Sequence, residues 1–363
     1  MISSYEQTHE IKPFAADRSG PMSIEFIKKL PTPEEIKRIL PVPENSQKIK
    51  EERDREIADV LTGKDDRLLV IIGPCSADNE DSVCEYITRL AKVNDKVKDK
   101  LLIIPRIYTN KPRTTGTGYK GIVHQPNPEM DTDFELGLLA MRHMHIRAIR
   151  ETGLTAADEM LYPDNWGYVS DMLSYVAIGA RSVEDQQHRI VVSGFDVPIG
   201  MKNPTSGDLN VMLNSIVAAQ DAHTFTYRGW EVKTNGNKLA HAILRGSVNK
   251  HGNSIPNYHY EDLELLCDKY ESRNLMNPAC IIDTNHSNSG KNHNEQIRIA
   301  HEIMHSRAGN ERIRKMVKGI MIESYLLEGC QEISDHMEHG RSITDPCLGW
   351  EASEKLLYEL AEY

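Results

Sequence analysis

The sequence lacks the marks of several protein classes. No apolar run approaches the roughly 18 residues that span a bilayer, and no charged segment followed by an apolar one opens the chain, as a secretion signal would. None of the six cysteines pairs with another at C-x-x-C spacing, which argues against zinc knuckles and dithiol redox motifs. There is also no G-x-x-x-x-G-K-[ST] loop for a nucleotide. We therefore expect a cytoplasmic protein with reduced thiols and no membrane contact.

A surplus of positive charge is also missing. The 43 Lys and Arg residues are outnumbered by 54 Asp and Glu residues, which gives a formal net charge of −11. Such a protein has no overall attraction to nucleic acid or to anionic membranes, so we expect neither as a partner. Any anion that it binds must be held by a local cluster of cations.

What the sequence does contain is an alternation of short apolar runs with helical segments, typical of parallel β/α architecture. Eight such runs each end at or just before a residue that can do chemistry, and we predict an α/β fold, a (β/α)8 barrel. In a barrel of this kind, the C-terminal ends of all strands surround one active-site mouth. The runs cover residues 68–73, 101–105, 155–158, 176–180, 198–201, 241–244, 280–285 and 318–322.

Two segments do not follow this rhythm. Residues 1–65 contain several prolines and a charged helical stretch, and we expect an N-terminal extension that serves assembly or regulation. Residues 66–363 then form the barrel. Near 223–236, β-branched and aromatic residues alternate around Arg228-Gly229, which predicts an inserted β-hairpin.

Four potential metal ligands stand at or beyond the ends of predicted strands, namely Cys75, His286, Glu323 and Asp345. A thiolate, an imidazole and two carboxylates suit Mn, Fe, Co or Zn better than Mg or Ca, which prefer oxygen alone. Taken singly, each has an ordinary alternative, such as a buried thiol, a loop residue or a helix cap. Together they favour one divalent metal ion. His293 is an alternative imidazole ligand, but it lies in a polar stretch that is typical of the protein surface.

Six cations lie at or near the same strand ends, and they are Arg106, Lys111, Arg113, Arg181, Lys202 and Arg245. A single arginine after a strand is usually a solvated charge. This many at one mouth would repel one another unless anions occupied the site. Because Arg binds phosphate through two parallel hydrogen bonds and Lys acts as a point charge, we expect two anionic substrates, at least one of them a phosphate ester.

At these residues the chain resembles a known family, the type I 3-deoxy-D-arabino-heptulosonate 7-phosphate (DAHP) synthases. The resemblance runs from about residue 20 to the C-terminus and rests on the order and spacing of many motifs. They are GPCS at 73–76, KPRTT at 111–115, GAR at 179–181, HR at 188–189, KN at 202–203, ILRG at 243–246, D-x-x-H-x-N-S at 283–289, ES at 323–324 and SITD-x-C-x-GWE at 342–351.

The resemblance implies a barrel that condenses phosphoenolpyruvate with erythrose 4-phosphate and releases phosphate, the first step of the shikimate pathway. It implies that the four ligands above hold one divalent ion, with Mn²⁺ favoured over Fe²⁺, Co²⁺ or Zn²⁺. Arg113 and Thr114 would meet the aldose phosphate, Lys111 would protonate the new alkoxide, and Glu159 would orient or deprotonate the attacking water. The implied phosphoenolpyruvate contacts are Arg106, Lys111, Arg181, Lys202 and Arg245.

The resemblance also implies a homodimer or homotetramer and feedback inhibition by an aromatic amino acid. The inhibitor would lie near residues 185–197 and the hairpin, where Asp196 could pair with its ammonium group and Arg228 with its carboxylate. We expect the Trp230 indole to pack against its own protein and to fill the space for the inhibitor's ring.

Three alternatives remain open from the residues. A sister synthase acting on arabinose 5-phosphate would share the barrel and the phosphoenolpyruvate site, although KPRTT and the SITD-x-C-x-GWE tail favour the four-carbon sugar. A metal-dependent lyase would not need so many cations. A barrel kept as a non-catalytic subunit would have lost a ligand or an anion contact, and none is lost here.

Overall fold

The computed structural model describes residues 24–114 and 118–363. Eight parallel strands form one sheet in which each strand lies beside its neighbours in sequence, from β2 through β1 and β8 round to β3. The circle closes between β2 and β3, where Arg106 bridges to Ala157 and the Ile107 N–H donates to the Ala157 carbonyl at 2.9 Å. The predicted (β/α)8 barrel is confirmed. Its strands are β1 Leu68–Gly73, β2 Leu101–Pro105, β3 Ala156–Glu159, β4 Leu173–Ile178, β5 Ile199–Lys202, β6 Ala240–Leu244, β7 Cys280–Asp283 and β8 Val317–Glu323.

Helices follow the strands and cover the outside of the barrel. Among the helices of the described ranges, none has both the length and the apolarity to cross a bilayer. In chain order they are α1 Pro33–Ile39, α2 Glu44–Thr62, α3 Glu80–Val97, α4 Phe134–Thr152, α5 Trp166–Val169, α6 Gln186–Val191, α7 Leu209–Gln220, α8 Tyr260–Glu271, α9 Glu295–Gly309, α10 Glu311–Met316 and α11 Trp350–Ala361.

The strands are buried on both faces, which is why they appear in the sequence as continuous apolar runs. The fourth strand departs from this pattern and begins three residues before the predicted run. The cause is that Ser174 and Tyr175 interrupt the apolar sequence although both are buried. The Tyr175 hydroxyl lies 2.8 Å from His241 Nε2 in the barrel interior, so this polar pair is satisfied internally.

Two helices, α1 and α2, precede the first strand. The segment around α1 packs on the barrel's own α4–α5 region, where Tyr168 Oη donates to the Pro31 carbonyl at 2.7 Å and Arg142 Nη2 to the Leu40 carbonyl at 2.7 Å. The predicted hairpin is formed between α7 and β6 by antiparallel strands Thr224–Tyr227 and Trp230–Lys233.

Candidate active site

The C-terminal ends of the strands surround a pocket of about 140 Å³. Seven cations and two carboxylates line it, so a local cationic cluster stands in a net acidic protein. The pocket collects nine of the residues predicted from the sequence. These are Arg106, Lys111, Arg113, Glu159, Arg181, Lys202, Arg245, His286 and Asp345.

Three of the predicted metal ligands form a compact donor group. One donor atom each from Cys75, Glu323 and Asp345 lies within 4.8 Å of the others. Burial and the nearby Glu323 carboxylate together raise the pKa of the Cys75 thiol to about 11, while Lys111 acts in the opposite direction. The Lys111 ammonium donates to the Cys75 sulfur at 2.9 Å. A nearby cation therefore already favours the thiolate form that a metal requires.

Glu323 is held as a carboxylate in this group. Its Oε1 lies 2.6 Å from Arg106 Nη2, in an ion pair without hydrogen-bond geometry, and both side chains are 1% exposed. Asn285 Nδ2 donates to the other oxygen at 2.5 Å. Burial alone would raise the pKa of Glu323, but Arg106 and His286 hold it below its usual value. The buried Oε1 makes no hydrogen bond with the described residues, so this carboxylate has a lone pair left for a ligand.

His286, the fourth predicted ligand, is not within the donor group. Its Nδ1 lies 2.8 Å from Asp283 Oδ2, and it lines the pocket together with Asp345. Burial would raise the pKa of Asp283, but His286 and Lys202 hold it far below the usual value. This contact is an ion pair without hydrogen-bond geometry, and it places the Nδ1 side of the ring against a buried carboxylate. The other ring nitrogen is then left for a ligand, as is usual around metal-binding histidines.

The cations differ in how deeply they lie. Lys202 is 2% exposed, and its ammonium lies 3.4 Å from Glu159 and 3.5 Å from Asp283. The Arg106 guanidinium stacks over the Tyr108 ring at 3.8 Å. By contrast, Arg181 is exposed. The floor of the pocket is therefore rigid and ion-paired, and its rim is open.

Glu159 faces the pocket beside Gly179 of the GAR motif. Burial would raise the pKa of Glu159, but Lys202 and Lys111 hold it below its usual value, so this carboxyl is ionised. A Cβ built on Gly179 would overlap Glu159 Oε1. Glycine at this position is what leaves room for the carboxylate.

The residues that line the pocket differ from the predicted set in two ways. Thr114 is exposed and does not line the pocket. Lys291 and Asn110 line it but were not predicted. Lys291 is turned toward the site because its N–H donates to the His286 carbonyl at 2.8 Å with a φ of 66°. The glycine before it signalled a turn, but no pattern in the sequence gives the direction of that turn.

The residues predicted to bind an aromatic inhibitor near the hairpin are only partly in the expected environment. Arg228 Nη2 lies 3.2 Å from Glu34 Oε2, so its charge is engaged by the segment before the barrel. Asp196 is exposed. The prediction that Trp230 packs against its own protein is wrong, because its side chain is 74% exposed. A hairpin of four-residue strands has too little surface to cover an indole at its turn.

Comparisons with known proteins agree with this geometry. The family model described as "DAHP synthetase I family" matches residues 42–358. A phospho-2-dehydro-3-deoxyheptonate aldolase of Haemophilus influenzae is 38% identical over 329 residues, covering 89% of this chain and 88% of its own length. The Phe-sensitive enzyme of that name from Escherichia coli K12 is 37% identical over 350 residues, covering 94% and 96%. The solved structure of the Francisella tularensis SCHU S4 enzyme superposes with a TM-score of 0.86 at 32% identity, covering 93% of this chain and 98% of that one.

Proposed function

The chain belongs to the DAHP synthetase I family, and from this membership we propose how its own residues perform the family's reaction. That reaction joins phosphoenolpyruvate to erythrose 4-phosphate, forms DAHP and releases phosphate, as the first step of aromatic biosynthesis. The observation that supports our assignment is the pocket itself, in which seven cations face two carboxylates above a thiol–carboxylate donor group. Two anionic substrates and one metal ion match this distribution of charge.

The four buried cations of the pocket and the exposed Arg181 are assigned to phosphoenolpyruvate, and Arg113 is assigned to the sugar phosphate. Phosphoenolpyruvate carries a carboxylate and a phosphate close together, and several fixed cations at the floor can hold both in a reacting geometry. We assign the aldose phosphate to Arg113, which lines the pocket, and to Thr114, which follows it in the chain. The phosphoenolpyruvate contacts are Arg106, Lys111, Arg181, Lys202 and Arg245.

The donor group fits a divalent cation. Cys75, Glu323 and Asp345 would hold it, and His286 would be the fourth ligand through the ring nitrogen that Asp283 does not engage. The sulfur makes Mn²⁺, Fe²⁺, Co²⁺ or Zn²⁺ more suitable than Mg²⁺, and Mn²⁺ is our first choice. When bound, such an ion acts as a Lewis acid that polarises the aldehyde oxygen of the sugar.

Lys111 and Glu159 are assigned the proton transfers. Burial would lower the pKa of Lys111, but Cys75 and Glu323 raise it, so this lysine is an ammonium that can protonate the alkoxide formed at the aldehyde. Glu159 is ionised and can accept a proton from the water that adds to the former enol carbon. The two groups hold opposite protonation states in one pocket, as a general acid and a general base require.

The decisive experiment measures phosphoenolpyruvate consumption and phosphate release with erythrose 4-phosphate, and with arabinose 5-phosphate in parallel. We expect turnover with the four-carbon sugar. Equal or faster turnover with arabinose 5-phosphate would overturn the substrate assignment. Lys111→Met and Glu159→Gln are expected to lose most of kcat while still binding metal, and unchanged kcat in either would refute its role.

Assembly, regulation and location complete the proposal. Residues 1–65 are proposed as an extension that serves assembly of a homodimer or homotetramer, since Ile24, Phe26 and Ile27 are 65%, 71% and 89% exposed in the single chain. An aromatic amino acid is proposed as an inhibitor near the hairpin, because the Escherichia coli relative is Phe-sensitive by name. The cytoplasm is proposed as the location, since Cys75 must stay a free thiol.

A further inference from the structure

Asp158, the residue before Glu159, has no role in the reaction described above. It is 5% exposed. The Thr109 N–H donates to its Oδ1 at 2.9 Å, and the Thr109 hydroxyl donates to its Oδ2. The Glu159 N–H donates to Oδ1 as well, at 2.7 Å. One carboxyl group therefore links the loop after β2 to the end of β3.

This carboxyl is buried without a counter-ion. No Lys, Arg or His of the described ranges lies within 4.0 Å of it. Burial and, less strongly, the Glu159 carboxylate raise the pKa of Asp158 to about 7, although the hydrogen bonds from Thr109 act in the opposite direction. Burying such a group is unfavourable unless its hydrogen bonds are made. Asp158 therefore differs from an apolar residue of the same size in one respect, namely the three hydrogen bonds that it accepts.

The loop that Asp158 holds needs an anchor. Its described residues, 107–114 and 118–133, contain no helix or strand, and Lys111 lies among them. Thr109 stands two residues before Lys111, whose ammonium must reach the Cys75 sulfur at 2.9 Å. Beyond the loop's own contacts, such as Lys111 N–H to the Lys120 carbonyl at 3.0 Å, the Thr109–Asp158 pair ties this stretch to the barrel wall.

We propose that Asp158 is a positioning residue, which through Thr109 and its own neighbour sets Lys111 and Glu159 in register with each other. The inference rests on the roles proposed above for those two residues. Asp158 does not line the pocket, so it acts through them and not on substrate. Because a shift of about 1 Å in a catalytic group can cost on the order of 10²-fold in rate, loss of the anchor is expected to lower kcat strongly.

The test compares three variants of the metal-loaded enzyme. Asp158→Asn can keep all three contacts, since its amide oxygen accepts both N–H groups and its NH₂ donates to the Thr109 hydroxyl. We expect kcat within about twofold of the parent. Asp158→Ala removes every contact and should lower kcat by on the order of 10²-fold. Thr109→Val removes one of the three contacts of Asp158, together with the hydrogen bond that the hydroxyl accepts from Asn110 Nδ2 at 3.2 Å, and should fall between them.

Further measurements separate positioning from mere stability. Thr155→Val is the control, because its buried hydroxyl has no partner among the described residues, and it should leave kcat unchanged. Amide exchange at Thr109 and Glu159 should speed up in Asp158→Ala and not in Asp158→Asn. In the Asp158→Ala background, Thr109→Val should have no further effect on kcat. If Asp158→Ala does not fold, Thr109→Val carries the test alone.

Two results would overturn the inference. One is parental kcat in Asp158→Ala or, failing that variant, in Thr109→Val. The other is an Asp158→Asn variant as slow as Asp158→Ala, which would mean that charge and not hydrogen bonding is required. Both are distinguishable from failure of the proposed function, which would appear as full activity in Lys111→Met or Glu159→Gln.

Discussion

Gly179 offers a direct test of the role of Glu159 without changing Glu159 itself. A methyl group on Gly179 would overlap Glu159 Oε1 and lie 3.2 Å from Cδ. The φ of Gly179 is outside the left-handed region, so alanine is compatible with the backbone. The consequences of Gly179→Ala should therefore fall on the neighbouring carboxylate.

The magnitude follows from the contact distances. Non-bonded heavy atoms pack best at about 3.5–4.0 Å, so the carboxylate must move by on the order of 1 Å, away from its place 3.4 Å from Lys202. A shift of this size in a catalytic group is expected to lower kcat by about 10²-fold. Overpacking should also lower the free energy of unfolding by about 1–3 kcal/mol.

The assay is steady-state turnover together with denaturant unfolding. Gly309→Ala is the control, since a Cβ there meets nothing within 4 Å, and it should change neither quantity appreciably. The double variant Gly179→Ala/Glu159→Asp shortens the carboxylate side chain, so stability should recover while kcat stays low. Parental kcat in Gly179→Ala would refute the reasoning, because it would show that the position of Glu159 does not limit the rate.

Three other predictions test metal, substrate and proton linkage. A chelator should abolish activity and Mn²⁺ restore it, except in Cys75→Ala; full turnover in metal-stripped enzyme, checked by elemental analysis, would contradict this. Lys202→Ala should mainly impair phosphoenolpyruvate use and Arg113→Ala erythrose 4-phosphate use, each by about 1.5–3 kcal/mol in kcat/KM; equal effects on both substrates would contradict the assignment. Burial lowers the pKa of His241 from 6.5 to about 4, so its contribution to stability is full above pH 6.5 and declines toward pH 4, by up to about 1.4 kcal/mol per pH unit. The free energy of unfolding of His241→Gln should fall less over this range, and an identical slope in parent and variant would show that folding does not lower the pKa of His241.

Much of the fold could be predicted because strands buried on both faces leave a clear apolar signal. The exception at β4 is instructive, since Ser174 and Tyr175 are polar and yet buried. A polar residue is compatible with the barrel interior when a partner such as His241 comes from another strand. That partner is 66 residues away in sequence, so local patterning could not reveal it.

The sequence could predict which residues come together at the strand ends, but not the directions of their side chains. Barrel topology alone brings strand ends together, which is why Cys75, Glu323 and Asp345 converge although they are far apart in sequence. Side-chain direction depends on neighbours instead. The sequence contains Asp283 in the D-x-x-H motif, but the contact between its carboxylate and the His286 ring depends on packing at the end of β7.

The cations of the pocket differ in burial and in ion pairing between its floor and its rim. At the floor, Lys202 and Arg106 are buried and paired with Asp283 and Glu323, which fixes their positions and offsets the cost of burying them. At the rim, Arg181 has no carboxylate partner within 4.0 Å in the described part of the chain, so its charge is available to an approaching anion. Since the protein as a whole is acidic, phosphorylated substrates are attracted to this mouth and repelled elsewhere. We therefore expect rim cations such as Arg181 to contribute to the capture of the anion and the floor cations to its alignment, because only the latter have carboxylate partners that fix their positions.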